Sequence, residues 1–560
     1  MITPTPRQQE IRDHTALDLV VVAPAGCGKT EALALRVAGL LDRGVVAQPQ
    51  RILVTTFSNR ARDNIRDRLL TYVSVNAMRD RVTVSNFHGL AARIFRAHAA
   101  VIGLNPEMLL PENDWVREQC QRRKLTFAAT AAVESVMQSL KLEAVDDDEV
   151  ERRLVDAGEQ TALEMERQRR SEGRLTYDDL PRLAELILAN DRVAQLYRNH
   201  FGAVMVDEYQ DLTPQQLRLV NRMGFQKTTY AGDLAQGIYG FAGARPAEVD
   251  DQIRSECSAV IEFAESHRSS PAVLRVVNAL TGLTGGQILT CAATGSWPGG
   301  GLAGGLAFND ASAEANAAVA FAQYVLDRAP SHRIGIIART GPRRRFVDAA
   351  VEARGLPSHR WDDPMLDTDT AKAIRALLAR LDTAEFHAAS DPLMFLRDAA
   401  NLDSVQDPSS RTFLNDALSW CFDLLRDGLG SAEIRQRVRV GDEHTLLNVP
   451  GVHLLTGHVG KGQQFDWVFV VGVEEDTIPD FRANTPAALT EESRILSVMV
   501  SRARHGVVIS YAAQVVAQTG RVMNRQPSRY WHALGGAGLT DGAGMNNWLA
   551  AADWGRIAAR

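Results

Sequence analysis

Cysteine is scarce in this chain: five residues in 560, at positions 27, 120, 257, 291 and 421. They are scattered, with no paired spacing of the kind that holds a metal, and they read as free thiols in a reducing cytoplasm. Long apolar runs are also missing. No stretch approaches the roughly 20 residues that span a bilayer, and the opening Met1-Ile-Thr-Pro-Thr-Pro-Arg7 lacks the apolar core of a secretory signal. A cytoplasmic protein with no membrane partner is therefore expected. Nor is there an excess of positive charge, with 62 Lys and Arg against 68 Asp and Glu, a net charge of −6. That balance argues against sequence-independent coating of nucleic acid but leaves room for a local basic groove. Internal repeats are absent as well. What remains is an ordinary globular composition, 45% apolar and 23% charged, in a chain long enough for roughly three or four domains.

The most informative segment is Ala23, Pro24, Ala25, Gly26, Cys27, Gly28, Lys29 and Thr30, directly after the apolar run Leu19–Val22. A triphosphate carries dense negative charge and needs many donors close by. Small residues let the backbone wrap a phosphate, and a helix starting near Lys29 aims its N-terminal amides at it. Lys29 would reach the β/γ oxygens, and Thr30 would ligand Mg²⁺. A plain glycine turn between strand and helix is the alternative, and the adjoining Gly-Lys-Thr argues against it. Ala23 stands where the opening glycine of such a cradle is usual.

Short apolar runs, each followed by a polar or small-residue turn, recur at Leu19–Ala23, Ile52–Phe57, Val82–Phe87, Val204–Glu208 and Thr228–Asp233. A second set lies at Arg333–Ala338, Val452–His458, Val468–Val473 and Val507–Tyr511. Such runs suit strands buried on both faces of a parallel sheet. Alternation with helix-like segments predicts an α/β protein with two parallel-sheet layers. Residues 90–200 and 365–440 lack strand signals and read as helical insertions, one per layer. The glycine-rich stretch 282–306 is expected to hold no regular element, and the tail after Gly535 to be loosely ordered. Arg343-Arg344-Arg345 reads as a solvated charge run, with a contact to DNA as the alternative.

Val206-Asp207-Glu208-Tyr209-Gln210-Asp211 ends a strand. Paired with the cradle, these carboxylates suit Mg²⁺-ATP: Asp207 holds the metal, and Glu208 orients and deprotonates the attacking water.

With these residues in hand the chain resembles a UvrD/Rep-type superfamily 1 DNA helicase. Its motifs run in family order: Gln8; the cradle; Thr56-Phe-Ser-Asn-Arg-Ala61; Asn86-Phe-His-Gly89; Asp207-Glu208; Gly232 through Ala244; His267-Arg268-Ser269; Thr456-Gly-His458-Val-Gly-Lys461-Gly462; and Val500-Ser-Arg502-Ala-Arg504. The resemblance implies two RecA-like P-loop domains, the first at 1–88 and 176–265, the second at 266–364 and 446–535. It implies helical insertions at 89–175 and 365–445, with a tail at 536–560. It further implies that Gln8 and His267 hold adenine, that Gln464 meets the ribose, and that Arg268 and Arg502 reach the γ-phosphate. Gln236 would sense that phosphate and signal to the DNA-contacting loop. Phe57, Asn59, Arg60, Phe87, His88, Tyr239, Phe241, Thr456 and His458 would contact single-stranded DNA, the aromatics by stacking. Core packing is the alternative for the phenylalanines.

Three departures stand out: His267 replaces a tyrosine, Ala242 stands where arginine is common, and Gln463-Gln464 replaces Leu-Glu. The insertion at 365–445 is also short for the family, a trait similar to compact helicase-like subunits of Gabija-type antiphage systems. The implied activity is 3′-5′ movement on single-stranded DNA with strand separation at single-strand/duplex junctions, driven by ATP and Mg²⁺. The second reading is a DNA-activated ATPase serving a nuclease-containing complex with little unwinding of its own. A small-molecule kinase would leave the Phe57 and Phe241 motifs without a use.

Overall fold

The computed structural model describes residues 3–560 other than 58, 112–114, 362, 364, 367, 403–404, 406–407, 427, 441–448, 460 and 518. At 59, 60, 127, 365, 368, 408–410, 412–413 and 439–440 it describes the secondary structure but not the side chain. No helix among the described residues is long and apolar enough to cross a membrane.

The chain forms two α/β units, Met1–Thr294 with Thr485–Val498, and Gly295–Asn484 with Met499–Arg560. Each is RecA-like, with a helical insertion. In the first unit the apolar runs become β1 (Leu19–Val22), β2 (Arg51–Thr56), β3 (Val82–Asn86), β4 (Phe201–Asp207), β5 (Thr228–Gly232) and β6 (Ala259–Glu262). They pair in the order β3-β2-β4-β5-β1-β6, parallel throughout. In register, Val22 lies beside Gly232 and Asp207 beside Ala231. The cradle, the carboxylates and the segment after Gly232 therefore leave the same edge of the sheet, where strand carboxyl ends build sites.

Helices Phe87–His98 and Asp179–Leu188 close one face of this sheet. Their Phe95 and Leu183 join Val204, Val206 and Tyr209 in the core. The insertion has its own small core of Trp115, Cys120, Met137, Leu154 and Met165. A buried ion cluster ties it to the Asp179–Leu188 helix. Lys141 Nζ lies 3.0 Å from both Glu166 and Asp179, and Arg169 and Arg182 complete the cluster with Asp147. Three cations face three anions, so the charge closes to zero.

Two further short strands, β7 (Glu265–Ser266) and β8 (Thr290–Cys291), pair in parallel. They attach residues 266–294 to the first unit: Ala292 N–H donates to Ser266 O at 3.1 Å, and His267 N–H to Gly26 O at 3.0 Å. The sequence placed this segment in the second domain. The His267–Gly26 hydrogen bond to the cradle and the β7–β8 pairing hold it with the first instead.

The second unit contains β9 (Leu302–Asp310), β10 (Arg333–Ala338), β11 (Ser358–Arg360), β12 (Met365–Leu366), β13 (Arg439–Val440), β14 (Gly451–Thr456), β15 (Phe465–Val471), β16 (Ala503–Val516) and β17 (Val522–Asn524). Its main sheet runs β11-β14-β10-β15-β16-β17, with β9 parallel to β16 and only β17 antiparallel. Helices between Thr368 and Arg437 form the insertion around Leu377, Leu418, Cys421 and Leu425.

Two expectations fail here for one reason. The glycine-rich stretch contributes β9, and the tail folds into helices Gly542–Ala551 and Trp554–Ala558. Leu549 and Ile557 are buried against the sheet. Glycines 304 and 305 have no side chain to separate them from Met545 and Leu539, so strand and tail cover each other. The arginine run is not a solvated one either. Arg343 is buried between Glu314 and Glu474, and Arg344 is buried beside Asp348.

Candidate active site and nucleic-acid surface

The cradle turns sharply because Gly26 and Gly28 adopt φ of 85° and 86°, a region that favours glycine. Space requires glycine too. A methyl on Gly26 would lie 2.5 Å from Arg268 Cβ, and one on Gly28 would lie 2.5 Å from Gln8 Nε2. Arg268 and Gln8 thus press on the cradle from two sides. Gln8 is engaged with the protein, its Nε2 donating to Gly28 O at 3.4 Å and its Oε1 accepting from Thr5 N–H at 2.9 Å. Cys27 is wholly buried, which pushes its thiol up to about 12 and leaves it no nucleophile at neutral pH.

The helix Lys29–Asp42 begins at the cradle, and Lys29 Nζ lies 3.3 Å from Asp207 Oδ1 and is also paired with Glu208 Oε2. Burial alone would lower the ammonium's pKa, but Asp207 and Glu208 outweigh it and the pKa is raised. Asp207 is shifted up by burial, opposed by Lys29 and reinforced by Glu208. Glu208 sits at φ 58°, a strained left-handed backbone for a side-chain residue. One ammonium, one hydroxyl at Thr30, two carboxylates and a nest of small residues match what a metal-bound triphosphate requires.

The segment after β5 continues from this site. Gln236 Nε2 donates to Asp233 Oδ2 at 2.8 Å, and Gly240 N–H to Glu491 Oε1 at 2.9 Å. Burial raises the pKa of Asp233. Three residues beyond Gln236, Tyr239 stacks on Phe57 with centroids 5.0 Å apart and planes 18° apart. Phe241 follows at 5.8 Å and is 67% exposed. The three rings make one aromatic surface.

Two family models match the chain: the UvrD/REP helicase N-terminal domain over residues 4–255 and the UvrD-like helicase C-terminal domain over residues 434–514. The chain belongs to the UvrD/REP helicase family. This chain is an ATP-hydrolysing enzyme of that family. Among its relatives, the ATP-dependent DNA helicase UvrD2 of Mycobacterium tuberculosis is 27% identical, over 92% of this chain and 79% of its own length. UvrD1 of the same organism is also 27% identical, over 94% of this chain and 84% of its own. The ATP-dependent DNA helicase PcrA of Leuconostoc citreum is 28% identical over 49% of this chain and 38% of its own.

For this UvrD/REP family member the other expected residues divide clearly. Phe87 is 3% exposed within the core of the first unit, so it has no open face for a base. The stacking expectation is corrected there in favour of packing. His88 is half-buried, edge-on to the ring of Tyr177 at 5.8 Å, and burial lowers its pKa. The side chains of Asn59 and Arg60 lie outside the described residues.

In the second unit Thr456 ends β14, and His458 Nδ1 lies 3.4 Å from Arg339 Nη1. Gln464 is exposed just before β15. Arg502 is 2% exposed and donates to Val459 O at 2.6 Å and Gly457 O at 3.0 Å, fixing the loop that carries His458. Sequence reading missed Arg339, Tyr177 and Gln210. Arg339 follows a recognisable strand and Gln210 lies inside a quoted motif, whereas nothing local marks Tyr177.

Proposed function

We propose that the chain is an ATP-driven DNA motor that moves 3′ to 5′ along single-stranded DNA and separates strands at duplex junctions. Thr30 and Asp207 hold Mg²⁺, Lys29 neutralises phosphate charge, and Glu208 orients and deprotonates the attacking water. Gln8 and His267 border the adenine. Arg268, packed on Gly26, complements the γ-phosphate. Bound Mg²⁺-ATP supplies the phosphoanhydride whose cleavage drives the cycle.

The observation that carries the reading is the aromatic surface of Phe57, Tyr239 and Phe241, joined through Gly237 and Ile238 to Gln236 and its bond with Asp233. Stacking on such rings is indifferent to sequence, as a motor on arbitrary DNA requires. The names of the UvrD1 and UvrD2 relatives, ATP-dependent DNA helicases, support the same substrate. The test is ATP hydrolysis with and without a single-stranded oligonucleotide, with Glu208→Gln as the inactive control. Stimulation by the oligonucleotide is expected. Hydrolysis indifferent to DNA would overturn the reading.

A further inference from the structure

Gln210 has no role in the mechanism above, yet it is the buried centre of the site, 0% exposed. Its Nε2 donates to Glu208 Oε2 at 2.6 Å, and its Oε1 accepts from Asp233 N–H at 2.9 Å. A backbone N–H can only donate and a carboxylate only accept, so the partners dictate which way the amide faces. Asp233 accepts in turn from Gln236 Nε2 at 2.8 Å and Ala235 N–H at 3.0 Å. The result is an unbroken hydrogen-bonded path, Glu208 to Gln210 to Asp233 to Gln236, across the ends of the adjacent strands β4 and β5.

Independent features of the fold make room for this path and hold it. A Cβ on Gly232 would collide with Gln210 Oε1 and lie 2.5 Å from Tyr209 Cδ1, so the path requires glycine at the end of β5. Tyr209, between Glu208 and Gln210, is anchored by its hydroxyl donating to Asp250 at 2.6 Å. Glu208 keeps a strained φ of 58°, a conformation that persists only where neighbours impose it.

We propose that Gln210 is a positioning residue that aims the Glu208 carboxylate and links its placement to the segment ending in Tyr239 and Phe241. The inference rests on the DNA reading above only for the second half of that statement. A base stacked on the aromatic surface shifts the Asp233–Phe241 segment, and the amide passes the shift to the general base. Cutting the amide is expected to leave the nucleotide cradle in place, because the hydrogen bonds of Gln210 run to Glu208 and Asp233.

The test measures kcat and KM for ATP, with and without a single-stranded oligonucleotide, for Gln210→Ala, Gln236→Ala and the double variant. Gln210→Ala is expected to lower kcat by roughly 10- to 100-fold, part of what a well-placed general base contributes. KM for ATP is expected to stay within about twofold, and stimulation by the oligonucleotide to be reduced without being abolished. The double variant loses no more stimulation than either single one, as members of one path do. Where Gln210→Ala fails to fold, Gln210→Glu is used: it keeps an acceptor for Asp233 N–H but faces Glu208 with an oxygen, and the same fall in kcat is expected. An unchanged kcat, or kcat and KM worsening in proportion, overturns the positioning role. Additive losses of stimulation overturn the link to Gln236. Absence of stimulation in the unmodified chain refutes the DNA reading and the link with it, while the split between kcat and KM still decides the positioning of Glu208.

Discussion

Replacing Phe241 with alanine removes a ring that the fold hardly uses. The side chain is 67% exposed and meets Tyr239 at a 59° tilt, with centroids 5.8 Å apart. Its loss should cost folding about 0.5 kcal/mol or less, as for other surface substitutions. A base stacked on an aromatic side chain is worth about 1–3 kcal/mol, so the same substitution should weaken single-stranded DNA binding by about 5- to 150-fold. The assay is fluorescence anisotropy of a labelled oligothymidine at one fixed salt concentration, because phosphate contacts make affinity salt-dependent. Phe241→Trp, which keeps a stacking face, should retain binding. Phe87→Ala supplies the contrast: its ring is 3% exposed in the core, and truncation should cost about 3–5 kcal/mol of stability. Wild-type affinity in a folded Phe241→Ala variant would refute the assignment of this surface to DNA.

The buried ion cluster and the second unit's histidines give two stability predictions. Lys141→Met leaves Glu166 and Asp179 one positive charge short and should destabilise the first unit by on the order of 3–5 kcal/mol. Adding Asp179→Asn should recover part of that loss in thermal melts, since the pair then loses one charge of each sign. His505 is stacked 5.3 Å from His332 in the second unit, with Asp466, Arg504 and Arg560 facing it, and burial holds its pKa down to about 3. The unfolded imidazole binds its proton below about 6.5 and the folded one does not. Stability contributed by this histidine is therefore present above that pH and lost as pH falls, by about 1.4 kcal/mol per unit. Melting followed from pH 7 to pH 4 should show this slope, and His505→Phe should flatten it.

Nine strands, the cradle and the carboxylates were legible because each is local: an apolar run, a turn chemistry, adjacent charges. The strand Leu302–Asp310 was not, because its pattern Leu-Ala-Gly-Gly-Leu is that of a flexible stretch until a distant strand and the tail cover it. Arg343 read as solvent-facing because Glu314 and Glu474, which neutralise it, are far away in sequence. Phe87 and Phe57 follow equivalent apolar strands, and only packing separates the core ring from the stacking one. The path through Gln210 depends on which strands are neighbours, information that a single segment does not contain.

The central claim, a motor that separates strands, is tested most directly by displacement of a labelled strand from duplexes carrying a 3′ or a 5′ single-stranded tail, with ATP. Displacement is expected from the 3′-tailed duplex, with little from the 5′-tailed one and none with Glu208→Gln. ATP hydrolysis stimulated by both tails without displacement from either would contradict it and point to a DNA-activated regulatory ATPase.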